Sequence, residues 1–310
     1  MMWQLSSATA PGDSGQNEDW AAAGPTFAVV LDGLSSPNED NGCHHGTKWF
    51  VAQLGGCLCS QLVNDETSLK EALRSAIDMV AQRHARTCDL THLGTPSSTV
   101  AILRNNDHKG AWEYLLLADS VVVIDDLVAG VQAISDKSVD RVATREKADI
   151  ALHQVGTPEH RESVERLIAA QRLVRNRAGG YWIASADPNA ADHALTGELP
   201  TGRLRRAAVL SDGAARLVDP YKLMNWPDLL DLAAAGAARL IHRVREADQA
   251  DAKGAIWARY KTSDDATVIY IGPPRVPVAV GTPRASGTAG AEGTAYDQPR
   301  RDLGGPIDSI

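Results

Sequence analysis

No run of eighteen apolar residues occurs in the 310-residue chain, so no segment is expected to cross a bilayer as a helix. The first residues lack a basic cluster followed by an apolar stretch, which argues against a secretory leader. Cysteine is scarce, with four residues at 43, 57, 59 and 88, a usage that suits a reducing cytoplasm better than a disulfide framework. Cys57 and Cys59 lie in an apolar, helix-like stretch and read as structural thiols; zinc would require clearer pairing. Phosphate-cradling signatures are missing: there is no Gly-x-x-x-x-Gly-Lys and no glycine-rich turn after a strand. His-Glu-x-x-His and Gly-x-Ser-x-Gly are absent too, which removes two common routes to hydrolysis. Positive charge is short: 31 Lys and Arg stand against 39 Asp and Glu, a formal net charge of −8. General nucleic-acid binding, which relies on basic surface, is not expected.

What is present is an ordinary globular composition, 44% hydrophobic and 23% charged. From Pro273 to Ile310 the text changes to six prolines and six glycines in 38 residues, with few large apolar side chains. Such a segment offers little apolar surface to offset ordering entropy, so a disordered tail is expected after a domain of residues 1–272. Within that domain, strands are expected at 2–9, 26–31, 97–104, 112–118, 121–125, 204–210 and 266–271. The stretch "WEYLLLADSVVVID" reads as two strands hinged at Asp119-Ser120. Helices are expected at 45–63, 67–87, 158–177 and 226–248, with Pro227 in a first turn. Two consecutive early helices and hairpin-like strand groups favour an α+β fold with antiparallel sheets. No internal repeat is evident.

The stretch "PGDSGQNEDW" at 11–20 holds two candidate chemistries. Its Gly-Asp-Ser-Gly resembles the setting of a trypsin-like nucleophile, yet no histidine precedes Ser14, and that triad needs a base placed before the serine. Ser14 therefore reads as a turn residue, and Ser14→Ala should change activity little. Its Asn-Glu-Asp belongs to a wider pattern. "TFAVVLDG" ends a strand in Asp32-Gly33, "RRAAVLSDG" ends another in Asp212-Gly213, and "SDDATVIYI" opens one just after Asp264-Asp265. Singly, each Asp-Gly is a common turn dipeptide. Together, several carboxylates at one edge of a core would repel and take up protons unless a hard cation joined them. Mg²⁺ or Mn²⁺ takes such oxygen ligands; no histidine or cysteine accompanies these acids, so zinc is disfavoured there.

In order, "NED", "VVLDG", "SSTVAIL", "LLLADSVVVI", "VLSDG" and "DDATVIYI" resemble the metal-dependent protein phosphatases of the protein phosphatase 2C family, most of all its compact bacterial branch. The resemblance spans nearly all of residues 1–272. It implies a four-layer α-β-β-α sandwich of two antiparallel sheets flanked by helices, with two Mn²⁺ or Mg²⁺ at one end. By motif position, Asp32 resembles the carboxylate that bridges the metals, with Gly33 offering its carbonyl. Asp212 and Asp264 resemble the other ligands of the first metal, and Glu18 and Asp19 those of the second. The implied reaction is hydrolysis of phosphoserine or phosphothreonine by a metal-activated water. The implied partner is a phosphoprotein, the product of a bacterial serine/threonine kinase.

Three departures stand out. The family's phosphate-binding arginine corresponds to Ser14, and residues 4–40 hold no Lys or Arg. A histidine two residues after the bridging aspartate is Leu34 here, and the loop "SSPNEDNGCHHG" lacks the usual glycine pair. His44 and His45 in that loop offer a proton donor to a leaving oxygen, or simply start a helix, the preferred reading. Trp182 reads as core packing rather than part of a substrate flap. Asp119 matches the position that helps hold a third, weaker metal, but its acidic partner is replaced by Arg216. Arg216 is therefore expected to pair with Asp119 and to offer its planar fork to phosphate. The alternatives to a protein phosphatase are a phosphatase-like binding protein with little turnover, supported by the lost arginine, and a phosphatase of small molecules.

Overall fold

Strands such as "FAVVL" carry an unbroken apolar run because both of their faces are covered. The computed structural model describes residues 3–13, 15–34 and 41–273, and its central strands follow that rule. The strands are β1 (Gln4–Ala10), β2 (Trp20–Ala23), β3 (Phe27–Leu31), β4 (Val100–Asn106), β5 (Ala111–Leu117), β6 (Val121–Asp126), β7 (Gly130–Ile134), β8 (Leu195–Pro200), β9 (Leu204–Leu210) and β10 (Ala266–Gly272). One sheet runs β1-β10-β9-β6-β7 and the other β2-β3-β4-β5-β8. Every strand pairing within them is antiparallel. Among the described residues seven α-helices accompany them: α1 (Gly46–Leu62), α2 (Leu69–His84), α3 (Thr144–Ile150), α4 (Pro158–Val174), α5 (Asp212–Ala215), α6 (Trp226–Ala235) and α7 (Ala237–Ala250).

The two-residue period of a strand sorts the core into layers. Ala28 and Val30 of β3 face inward with Val122, Ile124, Ala207, Val209, Ile269 and Ile271 of the other sheet. Val29 and Leu31 face outward and pack with Phe50, Leu54, Leu73 and Ile77 of α1 and α2. On the far side, Ala208, Leu210 and Val268 pack under Leu230, Leu240 and Val244 of α6 and α7. The result is the expected four-layer order, helices outside two facing sheets.

The helix expected over 226–248 is two helices, broken where Gly236 takes φ 155° and ψ 124°, a backbone state reserved for glycine. The other long helices lie within a few residues of their expected bounds. α2 opens on a reciprocal Ser68–Glu71 capping box. β2, β7 and β8 were not anticipated, and β4 begins at Val100 rather than at 97. A buried ion pair ties one helical connection to its sheet. Arg104 of β4, 0% exposed, bonds Glu113 of β5 through Nη2 at 2.7 Å and Nε at 3.1 Å. The same guanidinium reaches the carbonyls of Asn64 and Thr67 between α1 and α2.

Among the described residues no helix is long and apolar enough to cross a membrane. Ser14, the loop at 35–40 and the expected tail from residue 274 lie outside the described residues.

Candidate metal centre

The acids come together where the chain passes from one sheet to the other. β1 and β2 lie in different sheets, and Glu18 and Asp19 end the crossing between them; β5 and β6 also lie in different sheets, joined through Asp119. The β2–β3 register sets Trp20 opposite Leu31, so Asp19 and Asp32 are the next residues on the two strands. Asp212 follows β9 and Asp264 precedes β10, which are neighbours in the second sheet. Two hydrogen bonds hold the frame. Thr99 donates its N–H to the Asp32 carbonyl at 2.9 Å, and its Oγ1 lies 2.6 Å from Oγ of Ser120, beside Asp119.

Two glycines are required by close approach. A Cβ on Gly33 would lie 2.7 Å from the Glu18 carbonyl oxygen, and one on Gly213 only 2.0 Å from that of Asp265. Asp-Gly here marks tight packing of the site rather than a turn preference alone.

The like charges act on one another. Burial, followed by the charges of Asp19, Asp212 and Asp264, pushes Asp32 well above the ordinary carboxylate range, and its carboxyl lies within hydrogen-bonding reach of Asp212. Burial likewise pushes Asp19 up to about 7, with the Thr267 and Ser211 hydroxyls pulling the other way. Asp19 is 9% exposed, and neither carboxylate oxygen has a well-formed hydrogen bond among the described residues. Asp119 is pushed up to about 7 by burial and then by Asp212. It lines a cleft of about 220 Å³ with Asp212, Ser135 and Lys137.

Asp264 behaves differently. Burial would raise it, but Arg216 and Lys261 hold it below the ordinary range. Arg216 Nη2 donates to Asp264 Oδ2 at 2.7 Å, and Lys261 bonds the other oxygen. This corrects the expected Arg216–Asp119 pair. Four residues of spacing do place Arg216 one turn beyond Asp212, but its guanidinium turns to the start of β10 and to Asp248, 3.8 Å away. Arg216 is 7% exposed, and its Nη1 has no hydrogen bond among the described residues.

Sequence reading did not single out Lys261 or the role of Asp265. Asp265 accepts the N–H groups of Gly12 and Glu18, both at 2.7 Å, and so fixes the backbone that presents Glu18 and Asp19. Their signal was adjacency to Asp264. His45 stands at the N-cap of α1, as a helix-start histidine should. Trp182 packs against the helix-facing core and stacks on His193 at 3.4 Å.

The donor set is wholly oxygen, the Asp19 carboxylate has no well-formed hydrogen bond among the described residues, and Asp19, Asp32 and Asp119 are driven toward protonation. A hard divalent cation suits the oxygen donors and relieves the other two conditions, so Asp19 and Asp32, with Asp212 beside them, fit Mg²⁺ or Mn²⁺, and Asp264 would share its charge between cation and side chains.

The sequence profile of the family described as protein phosphatase 2C matches residues 15–240. No curated protein matches the sequence. Among solved structures, the serine/threonine phosphatase PstP/Ppp of Mycobacterium tuberculosis is similar at TM-score 0.52 and 15% identity, over 88% of this chain and 99% of that one. The PstP catalytic domain in complex with two manganese ions gives TM-score 0.51 and 18% identity, over 87% and 98%. Serine/threonine phosphatase Stp1 from Staphylococcus aureus gives 0.51 and 10%, over 89% and 96%. At these identities the likeness is one of fold.

Proposed function

The chain belongs to the protein phosphatase 2C family, and from that premise we propose that it hydrolyses phosphoserine and phosphothreonine in proteins with two Mn²⁺ or Mg²⁺ ions. The observation that carries this reading is the meeting of Asp19, Asp32, Asp212 and Asp264, from four separate chain segments, at adjoining strand ends where the charges of Asp19, Asp212 and Asp264 act on Asp32. These four, with Glu18 and the Gly33 carbonyl, would hold the ions. When bound, such ions lower the pKa of a water toward neutrality and offset the charge of the phosphate.

The chain's own groups do the rest. Asp32, raised by burial and by the charges of Asp19, Asp212 and Asp264, is the carboxyl whose proton would be displaced as the site loads. Asp265 orients the Glu18–Asp19 backbone. Lys137, lining the cleft with Asp119 and Asp212, offers a cation to phosphate oxygens near a site that lacks the arginine at position 14. Residues 1–272 would form the catalytic domain and 273–310 an appended tail, in a cytoplasmic protein whose substrates come from a bacterial serine/threonine kinase.

The test is turnover of an aryl phosphate and a phosphothreonine peptide with Mn²⁺, Mg²⁺ or chelator. Metal-dependent hydrolysis of both is expected; turnover that survives chelation overturns the reading. One observation favours a phosphatase-like binding protein with weak turnover: Arg216 and Lys261 already occupy Asp264. Metal-dependent phosphopeptide binding without hydrolysis would select it.

A further inference from the structure

Away from the acids, a second group of ligand-type side chains gathers where α1 begins and α2 ends. Cys43, His45, His84 and Cys88 present ligand atoms that all lie within 4.8 Å of one another. Cys43 Sγ is 3.6 Å from His45 Nδ1, 3.5 Å from His84 Nδ1 and 3.2 Å from Cys88 Sγ. Cys88 Sγ is 3.3 Å from His45 Nδ1. Zn–S bonds of about 2.3 Å and Zn–N bonds of about 2.0–2.1 Å in a tetrahedron imply sulfur–nitrogen edges of roughly 3.5 Å and a sulfur–sulfur edge of roughly 3.8 Å. The three sulfur–nitrogen distances match, and the two sulfurs need part by only about half an ångström. At 3.2 Å the sulfurs are not bonded; a disulfide requires about 2.05 Å.

The surroundings are built. His84 is 1% exposed, and its Nε2 has no hydrogen-bond partner among the described residues, so Nδ1, turned toward Cys43, is the one nitrogen with a polar contact there. The Cys88 N–H bonds the His84 carbonyl at 2.9 Å, a turn that carries the second thiol back to the imidazole. The Asp89 N–H bonds the Gly42 carbonyl at 2.7 Å and locks this turn to the segment bearing Cys43 and His45. Trp49 stacks on the His45 ring at 4.1 Å and fixes its plane. The spacing is Cys-x-His and His-x₃-Cys.

The geometry points to a structural zinc site of two thiolates and two imidazoles, separate from the carboxylate centre. Soft sulfur ligands select zinc over Mg²⁺ and Mn²⁺, whereas the oxygen set selects the reverse. Four protein ligands close the coordination shell, so the ion would hold structure rather than activate water. Its task is to staple the start of α1 to the end of α2. Thr47, two residues past His45, bonds the Leu34 carbonyl through Oγ1 at 3.2 Å, so the staple also steadies the chain leaving Asp32-Gly33.

The experiment uses the full chain, purified reduced and without chelator, with metal content measured by mass spectrometry. One zinc per chain is expected, kept in Asp32→Ala and lost in Cys43→Ser and Cys88→Ser. Cobalt(II) exchanged into the wild-type chain should show the intense visible bands of a tetrahedral site and a sulfur-to-cobalt charge-transfer band, whether or not the cysteine variants fold. Stripping the zinc should lower Tm. A reduced wild-type chain with neither zinc nor the charge-transfer band overturns the proposal. So does zinc that follows Asp32→Ala instead of Cys43→Ser, or a Cys43–Cys88 disulfide persisting under reduction.

Discussion

Arg216 Nη2 lies 2.7 Å from Asp264 Oδ2, which places a permanent cation on one of the acids that converge at the sheet ends. The charge is buried and faces both Asp248 and Asp264, of which Asp264 also holds Lys261 and Asp248 also accepts from Tyr221 and Arg245. A divalent ion at Asp264 must share that carboxylate. Replacing Arg216 by methionine, which keeps most of the volume, should tighten Mn²⁺ binding several-fold in a calorimetric titration. It should also lower Tm of the metal-free protein. Unchanged affinity would mean that Asp264 contributes nothing to the ion's site.

Asp32→Ala and Asp212→Ala should each remove metal-dependent turnover of aryl phosphate, because each deletes a carboxylate at the centre of the coupled group. Both should still fold, since removal of one like charge relieves the others. Residual metal-stimulated turnover in both variants would be incompatible with the proposed centre.

Asp265 is expected to act through Glu18 and Asp19 rather than by touching substrate. With its two backbone bonds removed in Asp265→Ala, metal affinity should fall by about 10–100-fold, the range seen for groups that orient ligands. Asp265→Asn, which keeps an acceptor oxygen, should recover part of the loss. Titration of Mn²⁺ into the two variants separates this role from simple destabilisation.

The buried Arg104–Glu113 pair gives an acid-sensitive term to stability. Burial would raise Glu113, but hydrogen bonds from Lys109, Arg104 and Asn106 outweigh it and hold the carboxyl below its ordinary value. As pH falls, the unfolded chain therefore takes up the proton first. The stabilisation is complete above the ordinary carboxylate range and is lost as pH drops through the lower folded value. Glu113→Gln, which leaves Arg104 buried without its counter-charge, should cost about 3 kcal/mol in urea unfolding at neutral pH. Its deficit relative to wild type should shrink in acid.

Deleting residues 275–310 should leave Tm and aryl-phosphate turnover essentially unchanged, because a sequence so rich in proline and glycine offers few large apolar side chains to bury. Thermal unfolding of the shortened chain is the measurement. A large fall in Tm would show that the segment docks.

Legibility in the sequence followed burial. β3, β6 and β10 are covered on both faces and announce themselves as long apolar runs, as does the buried Ala207–Leu210 part of β9. β2, β7 and β8 have little buried surface and hence no periodic signal; "LTGELP" even carries glycine and proline, as an edge strand tolerates. The acids at strand ends were legible because a strand fixes where its last residue points. The partner of Arg216 was not, since spacing assigns a helix face but not the element that face meets. The sulfur and imidazole group was hidden for a related reason. Cys43 and His45 are separated from His84 and Cys88 by two helices, and only the return of α2 beside α1 brings them together.

The layer between the sheets is also a gauge for the chemistry. Asp19 and Asp32 hang from one sheet, Asp212 and Asp264 from the other, so the span across the centre is set by how far apart the sheets rest. At that end the spacer is small: Val30, one residue short of the end of β3, and Val209, one short of the end of β9, both lie in the inner layer. Interiors packed at crystal density yield little to an added methylene. A bulkier side chain at either valine would part the jaws by a fraction of an ångström and detune the grip on an ion without touching a ligand. On the proposed metal reading, tolerance to ionic radius would therefore depend on inner-layer side chains such as Val30 and Val209 as well as on the carboxylates.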